Sequence, residues 1–419
     1  MALNRLVFVF SAVLLLAIAG SNLERGALAD EPYHIGVVLS MSGAGALYSK
    51  DGADAVMLAV EEINAKGGFL GRHPLKVVVR DDETKPEIAV RETTDLILTN
   101  KVRCILGTYS SACALAIKPV CREHKILHIA AISNSEDITK VDFSPYTFSV
   151  VPNTYMQAKA VAVGVARMAK TYQWKTYMTL ASDYEWGRSA VANFVKLFGE
   201  IHPEVKLTGQ FWPKLGEKDF NSYITSIMNA DPKPNFVFGS LGSNDNETWI
   251  AEAKERGFFA DISFPGSLIS VTELSTRAQT LPRGMIGLCR APFFAHMDNP
   301  VMAGFVQAFR SKYGRYPSDW AVMEYDAVHA LRQGIEKAGT IDSDKVKDTM
   351  AGSKIVTTRG ELSFRKIDNQ LSCSSYLGRV RDDPDGKIPF PIYYPLWIIK
   401  GPDSWRPEAE IEAARAAKK

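Results

Sequence analysis

The sequence predicts an α/β protein built as two doubly wound parallel-sheet lobes. Three patterns point there: a strand–loop–helix unit at residues 35–68, an alternation of strands of four to six residues with helices of twelve to fifteen, and a restart of that rhythm after Pro152.

In the first unit Ile35, Val37, Val38 and Leu39 form a short, mostly β-branched apolar run, as expected of a parallel strand covered on both faces. Residues 40–48 (Ser-Met-Ser-Gly-Ala-Gly-Ala-Leu-Tyr) are too small and flexible to pack a core. They fall at the carboxyl end of the strand, where open α/β sheets place their ligands. A helix over 51–65 follows, with Ala55, Leu58, Ala59 and Ile63 at helical spacing, and Gly67-Gly68 stops it.

The remaining elements read off in order. Strands at 75–79, 104–107, 127–131 and 146–151 and helices at 85–98 and 112–124 complete the first unit. The second holds helices at 156–172, 187–200, 220–229 and 247–256 and strands at 176–181, 206–212, 236–240, 262–264 and 284–289. A helical pair, 299–313 and 319–338, precedes hairpin-like segments at 360–364, 373–379 and 393–399. A polar Ala/Glu/Arg/Lys stretch from Glu408 reads as a surface helix or a frayed end.

The N-terminus has the pattern of a secretory signal peptide: Arg5, an apolar run over 6–19, and the small-x-small site Ala27-Leu-Ala29 before Asp30. The apolar run is about 14 residues, short of the roughly 20 that span a bilayer. Removing residues 1–29 takes away two arginines and one glutamate and leaves 390 residues with a net charge of +1. A near-neutral chain of mixed signs offers no electrostatic case for nucleic acid or an anionic membrane. Export implies the periplasm and an oxidising compartment, so the five cysteines suggest at least one disulfide. Cys104 at the start of a strand and Cys121 near the end of the returning helix form the candidate pair. Cys113 and Cys121 are about 12 Å apart along one helix, too far to bridge. No Cys/His spacing suggests a metal, and no cofactor is expected.

Enzyme classes find little support. Residues 42–47 lack the third glycine of a dinucleotide loop, and Asp81 lies too far downstream to be its acidic partner. There is no GxSxG, HExxH or P-loop, and the seven histidines do not cluster; His128, inside an apolar strand, reads as a buried structural residue.

Five segments carry a resemblance: Ser42-Gly43 with Tyr48 and the helix ending Glu62-Ile-Asn-Ala-Lys-Gly-Gly68; Asp81-Asp82; Gly107-Thr-Tyr-Ser-Ser111; Asp183-Tyr-Glu-Trp-Gly-Arg188; and Glu217-Lys-Asp-Phe220. Together they make the chain similar to the branched-chain amino acid-binding family of type I periplasmic binding proteins, the substrate-capturing subunits of ABC importers. The resemblance implies two lobes joined by a three-crossing hinge, with ligand in the cleft. Lobe one would be 31–152 and 292–365, lobe two 153–291 and 366–403, and 404–419 a polar tail. It also implies a monomer that hands a small molecule to a membrane permease, or, alternatively, a ligand-sensing subunit for a signalling receptor.

Candidate ligand residues follow from chemistry and from this likeness. Ser110 and Ser111 precede a helix, where hydroxyls and free N–H groups suit a carboxylate. The family position matching Ser111 holds the ligand carboxylate, helped by Ile132, Ser133 and Asn134. Tyr48 and Tyr109 fall in strand-end loops of lobe one, and Tyr184 and Trp186 in a strand-to-helix turn of lobe two. Amino-acid-binding members hold the ammonium with an acid after a strand ending near Pro265-Gly266; this chain reads Phe264-Pro-Gly-Ser-Leu-Ile269 there, with Leu268 as the candidate contact. An ammonium buried without a charged partner is costly, unless Asp245, Glu247 or Glu273 substitutes. An aromatic or hydrophobic acid without an α-amino group, or a related amide, fits better, with Tyr48, Tyr109, Tyr184 and Phe293 supplying the rings.

Overall fold

The computed structural model describes residues 31–242 and 244–418. The signal-peptide reading of 1–29 lies outside the described residues. Among those described, no helix is long and apolar enough to cross a membrane.

The first lobe is built on a five-stranded parallel sheet in the order β2-β1-β3-β4-β5, from β1 (Tyr33–Leu39), β2 (Leu75–Asp81), β3 (Cys104–Gly107), β4 (Leu127–Ala130) and β5 (Thr147–Ser149). β1, β3 and β4 are almost wholly buried, as their unbroken apolar runs require of strands covered on both faces. One face carries helices Ala46–Asn64 and Asp319–Ala338; the other carries Pro86–Leu98 and Ser111–Glu123. The hairpin β11 (Lys354–Thr357) and β12 (Gly360–Ser363) completes this lobe.

The second lobe centres on β6 (Thr176–Ala181), β7 (Lys206–Phe211) and β8 (Phe236–Ser240), parallel in the order β7-β6-β8. The segment expected as a strand at 262–264 contributes only a bridge, Ser263 to Phe236. It runs on into β9 (Ser267–Leu268), which pairs parallel with β10 (Ile286–Cys289). The late segments β13 (Ser375–Arg381) and β14 (Ile392–Ile399) then add antiparallel strands beside β10. The sheet of this lobe is therefore mixed at one side.

The chain passes between the sheets near residues 150–153, 290 and 369–375. At the first passage Val150 O accepts from Arg359 (2.9 Å), Val151 O from Gln370 (2.8 Å) and Pro152 O from Asn134 (2.7 Å). Arg359 also pairs with Asp326 at 2.9 Å, both side chains buried. Asp319 fastens the second passage, its carboxylate accepting from the backbone N–H groups of Arg290, Ala291 and Val271.

One expectation needs correcting. All five cysteines are buried with free thiols, so the Cys104–Cys121 bridge is not formed. The reason is strand alternation: Cys104 and Leu106 face the core under Ala46–Asn64, whereas Ile105 shares the opposite core with Cys121. Of the two readings of the C-terminal stretch, the surface helix is the one observed. Helix Glu408–Ala416 buries Ile411, and Arg415 bonds the carbonyls of Thr139, Lys140 and Ile367. Arg406, just ahead of it, grips Glu136 with two nitrogens (2.8 and 2.9 Å) and Asn193 with one of them (2.6 Å).

Candidate ligand-binding cleft

Parallel strands bring their carboxyl ends to one edge of each sheet, and the loops leaving those ends face each other across a cleft. From the first lobe, the segments after β1, β3 and β4 supply Tyr48, Tyr109, Ser111, Ile132 and Asn134, and Trp320 joins them from a helix start. From the second, the segments after β6 and β8 supply Tyr184, Trp186, Leu241 and Gly242, and Leu268 closes β9. Arg290 enters from the passage after β10. The space they enclose is about 20 Å³, room for roughly one water, so an organic ligand requires the walls to part or the rings to turn.

Local sequence explains how these side chains are held. Asp81 and Asp82 at the end of β2 brace the neighbouring loop: Asp81 accepts from the N–H of Ser42 and Asp82 from the hydroxyl of Ser40 (2.6 Å). The helix after that loop starts at Ala46, five residues earlier than expected, and takes Tyr48 into its first turn. Gly45 is required there, because a Cβ would stand 2.5 Å from Cδ1 of Tyr109. The Tyr48 ring stacks on Tyr109 (centroids 5.8 Å, 12°) and tilts against Trp320 (5.0 Å). Its hydroxyl donates to Glu273 across the cleft at 2.6 Å. On the other wall Gly242 lets the Tyr184 hydroxyl approach the backbone.

Ser111 occupies the first position of its helix, with Ser110 as N-cap. Its Oγ accepts the backbone N–H groups of Asn134 (3.2 Å) and Ser135 (3.0 Å). A hydroxyl has two acceptor positions and one proton to give. With both acceptor positions filled, its remaining capacity is as a donor. Asn134 donates to Pro152 O and to Gln157 (2.7 Å each) and accepts from Arg290 (2.9 Å).

Arg290 is 3% exposed. Its terminal nitrogens donate to Ile132 O (2.8 Å) and Asn134 Oδ1, while its Nε has no partner. Burial lowers its pKa to about 10, still leaving it cationic at neutral pH. It lies 5.1 Å from the Trp320 ring and 5.7 Å from that of Trp186.

Of the residues expected to meet a ligand, Tyr48, Tyr109, Ser111, Ile132, Asn134, Tyr184, Trp186 and Leu268 line the cavity. Ser110 and Ser133 are buried beside it without lining it, Ser110 serving as N-cap. Phe293 does not supply a ring; it stacks on Tyr316 instead (5.1 Å, 14°). None of the three acids offered as ammonium partners lines the cavity, although Glu273 reaches its wall by bonding Tyr48. Asp245 accepts from Ser182 and Gly216, and Glu247 pairs with Arg277. Glu273 accepts from Tyr48, the Ser270 N–H and the Ser270 hydroxyl, and burial raises its pKa to about 7.

Sequence reasoning missed Leu241, Gly242, Trp320 and Arg290. A signal existed for Arg290: a lone charge directly after the apolar strand Ile-Gly-Leu-Cys, at the strand end where ligand loops begin.

The chain matches the family model described as periplasmic binding protein over residues 32–387. The leucine-, isoleucine-, valine-, threonine-, and alanine-binding protein of Pseudomonas aeruginosa is 23% identical over 361 residues, covering 86% of this chain and 92% of the relative. Among solved structures, an ABC-transporter solute binding protein from Rhodopseudomonas palustris BisB5, in complex with 3,4-dihydroxybenzoic acid, superposes with a TM-score of 0.76. It is 22% identical and covers 88% of this chain and 98% of its own. A second from R. palustris, in complex with benzoate, gives 0.75 at 21% identity, covering 87% of this chain and 96% of its own. At such identities the structural likeness establishes the fold, and the family match over most of the chain establishes kinship. This chain is a member of the periplasmic binding protein family, of the type I, branched-chain amino acid-binding kind.

Proposed function

We propose that this protein is the substrate-binding component of an ABC importer that captures an aromatic or otherwise hydrophobic carboxylic acid in preference to an amino acid. The observation that carries the reading is the composition of the cleft. Five rings, a donating hydroxyl and a guanidinium line it, and among the described residues no carboxylate does. An α-ammonium would be buried there without an ionic partner. The relative from P. aeruginosa is named for binding amino acids, whereas R. palustris relatives were crystallised with 3,4-dihydroxybenzoic acid, 4-hydroxybenzoate and benzoate. The second group matches the chemistry of this cleft.

Capture works by hinge closure. The acid docks first against the Ser111 wall, and contacts from Tyr184 and Trp186 then favour the closed state. A ligand touching one lobe only would shift nothing. Lobe one comprises 31–152 and 292–365, and lobe two 153–291 and 366–403, the sheets described above lying within them. The mature protein, cleaved after Ala29, acts as a periplasmic monomer that delivers its cargo to a membrane permease. Micromolar affinity, about −8 kcal/mol, suffices for scavenging. Isothermal titration calorimetry of the mature chain with benzoate, 4-hydroxybenzoate and leucine tests the reading. Binding of a benzoate with weak or no leucine binding is expected; tight leucine binding with no benzoate binding overturns it.

A further inference from the structure

Polar groups left without partners in a buried cleft indicate what the cleft is built to receive, because each is costly to leave unpaired. Among the described residues that line this cavity, the unpartnered buried side-chain atoms are Arg290 Nε, Trp186 Nε1 and Trp320 Nε1. All three are donors. The Ser111 hydroxyl, with both acceptor positions filled, is a fourth. The set therefore calls for acceptor atoms, and one of its donors carries a full positive charge.

Among the described residues Arg290 has no ion-pair partner. Asp319, the acid whose field acts on it, directs its oxygens at backbone N–H groups of Arg290, Ala291 and Val271 rather than at the guanidinium. The two nitrogens that are bonded reach neutral acceptors, Ile132 O and Asn134 Oδ1. Those bonds fix the guanidinium against the same 132–135 loop that Ser111 holds. A buried cation pinned in place without a counter-charge is an incomplete ion pair.

We propose that Arg290 is the counter-ion of the ligand carboxylate and the residue that makes the cleft select acids over their neutral amides. This rests on the reading of the protein as an acid-binding receptor. It assigns the charge recognition to Arg290, with the Ser111 hydroxyl as an uncharged assistant.

The experiment measures calorimetric affinities for two acid–amide pairs, benzoate with benzamide and leucine with leucinamide. It uses the wild type, Arg290→Gln and Arg290→Lys. The wild type prefers the acid of whichever pair it binds by about 10- to 100-fold, the range a charge-assisted hydrogen bond supplies. R290Q brings that ratio close to one by losing acid affinity, and R290K, which keeps the charge but not the fork, retains most of it. A wild type that binds acid and amide equally overturns the proposal without any variant. So does an R290Q that weakens acid and amide alike, which would mean that Arg290 only pins the loop. If leucine binds and benzoate does not, the aromatic-acid reading fails, while the leucine–leucinamide ratio still decides the role of Arg290. Binding of none of the four overturns both.

Discussion

Arg290 and Arg359 are both buried arginines that bond a backbone carbonyl at a seam of the molecule, yet their surroundings differ. Arg359 brings its own carboxylate: Asp326 pairs with it at 2.9 Å and also accepts from the N–H and hydroxyl of Thr358. Burial works against the charge on Arg359, but Asp326, with smaller help from Cys373 and Tyr376, outweighs it and holds the pKa above the ordinary arginine value. Arg290 has no such partner, and burial lowers its pKa. A cation kept for architecture is neutralised within the chain, whereas one kept for binding awaits its neutralising group from solution. Position alone does not separate the two; the neighbours do.

The contrast can be broken in several ways, the most damaging first. Asp326→Asn leaves Arg359 as an uncompensated buried charge and should lower unfolding stability by about 3–5 kcal/mol in denaturant titrations. A loss below about 1 kcal/mol would erase the distinction between the two arginines.

Glu324 shows a third way to manage a buried ionisable group. Neither of its oxygens has a partner, and burial raises its pKa to about 8. Its folded value lies above the unfolded one, so the stability it supports is full below about pH 4.5 and is lost as pH rises through about 8. Glu324→Gln should flatten that decline and add on the order of a few kcal/mol at pH 8. Parallel stability–pH curves for the two proteins would show that the carboxyl is hydrated and ionises freely.

On the binding side, Ser111→Ala removes the donating hydroxyl and should weaken acid capture by about 1–3 kcal/mol. An unchanged dissociation constant removes Ser111 from the site. The smallest effect belongs to Tyr184→Phe, which keeps the ring and drops only the hydroxyl. About 0.5–1.5 kcal/mol of affinity is expected, and a greater loss would move the polar anchoring from the first lobe to the second.

Strands with unbroken apolar runs were legible in the sequence because their burial is complete. The spans 104–107, 176–181 and 236–240, and the helix 319–338, coincide with the observed elements. The region 262–268 was not, because its pairing comes from two different neighbours in turn, β8 and then β10. In the cleft, strand-end aromatics such as Tyr109 and Tyr184 announced themselves through their place in the loop just after an apolar strand. Trp320 did not, since the start of an amphipathic helix looks the same whether it faces a core or a cavity. For Arg290 the sequence carried its place, a lone charge at a strand end, but only the folded structure shows that no acid among the described residues comes to meet it. The expected Cys104–Cys121 bridge failed on the face each side chain occupies, which end-to-end proximity does not specify.

The segment leading into the C-terminal helix ties together two elements that the proposed closure would move. Arg406 holds Glu136, beside the acid-docking loop, and Asn193, on the helix that follows Tyr184, in a single grip. Any swing that separates those two anchor points must release one of them, so a spectroscopic label on the final turn would register each opening of the receptor as it happens.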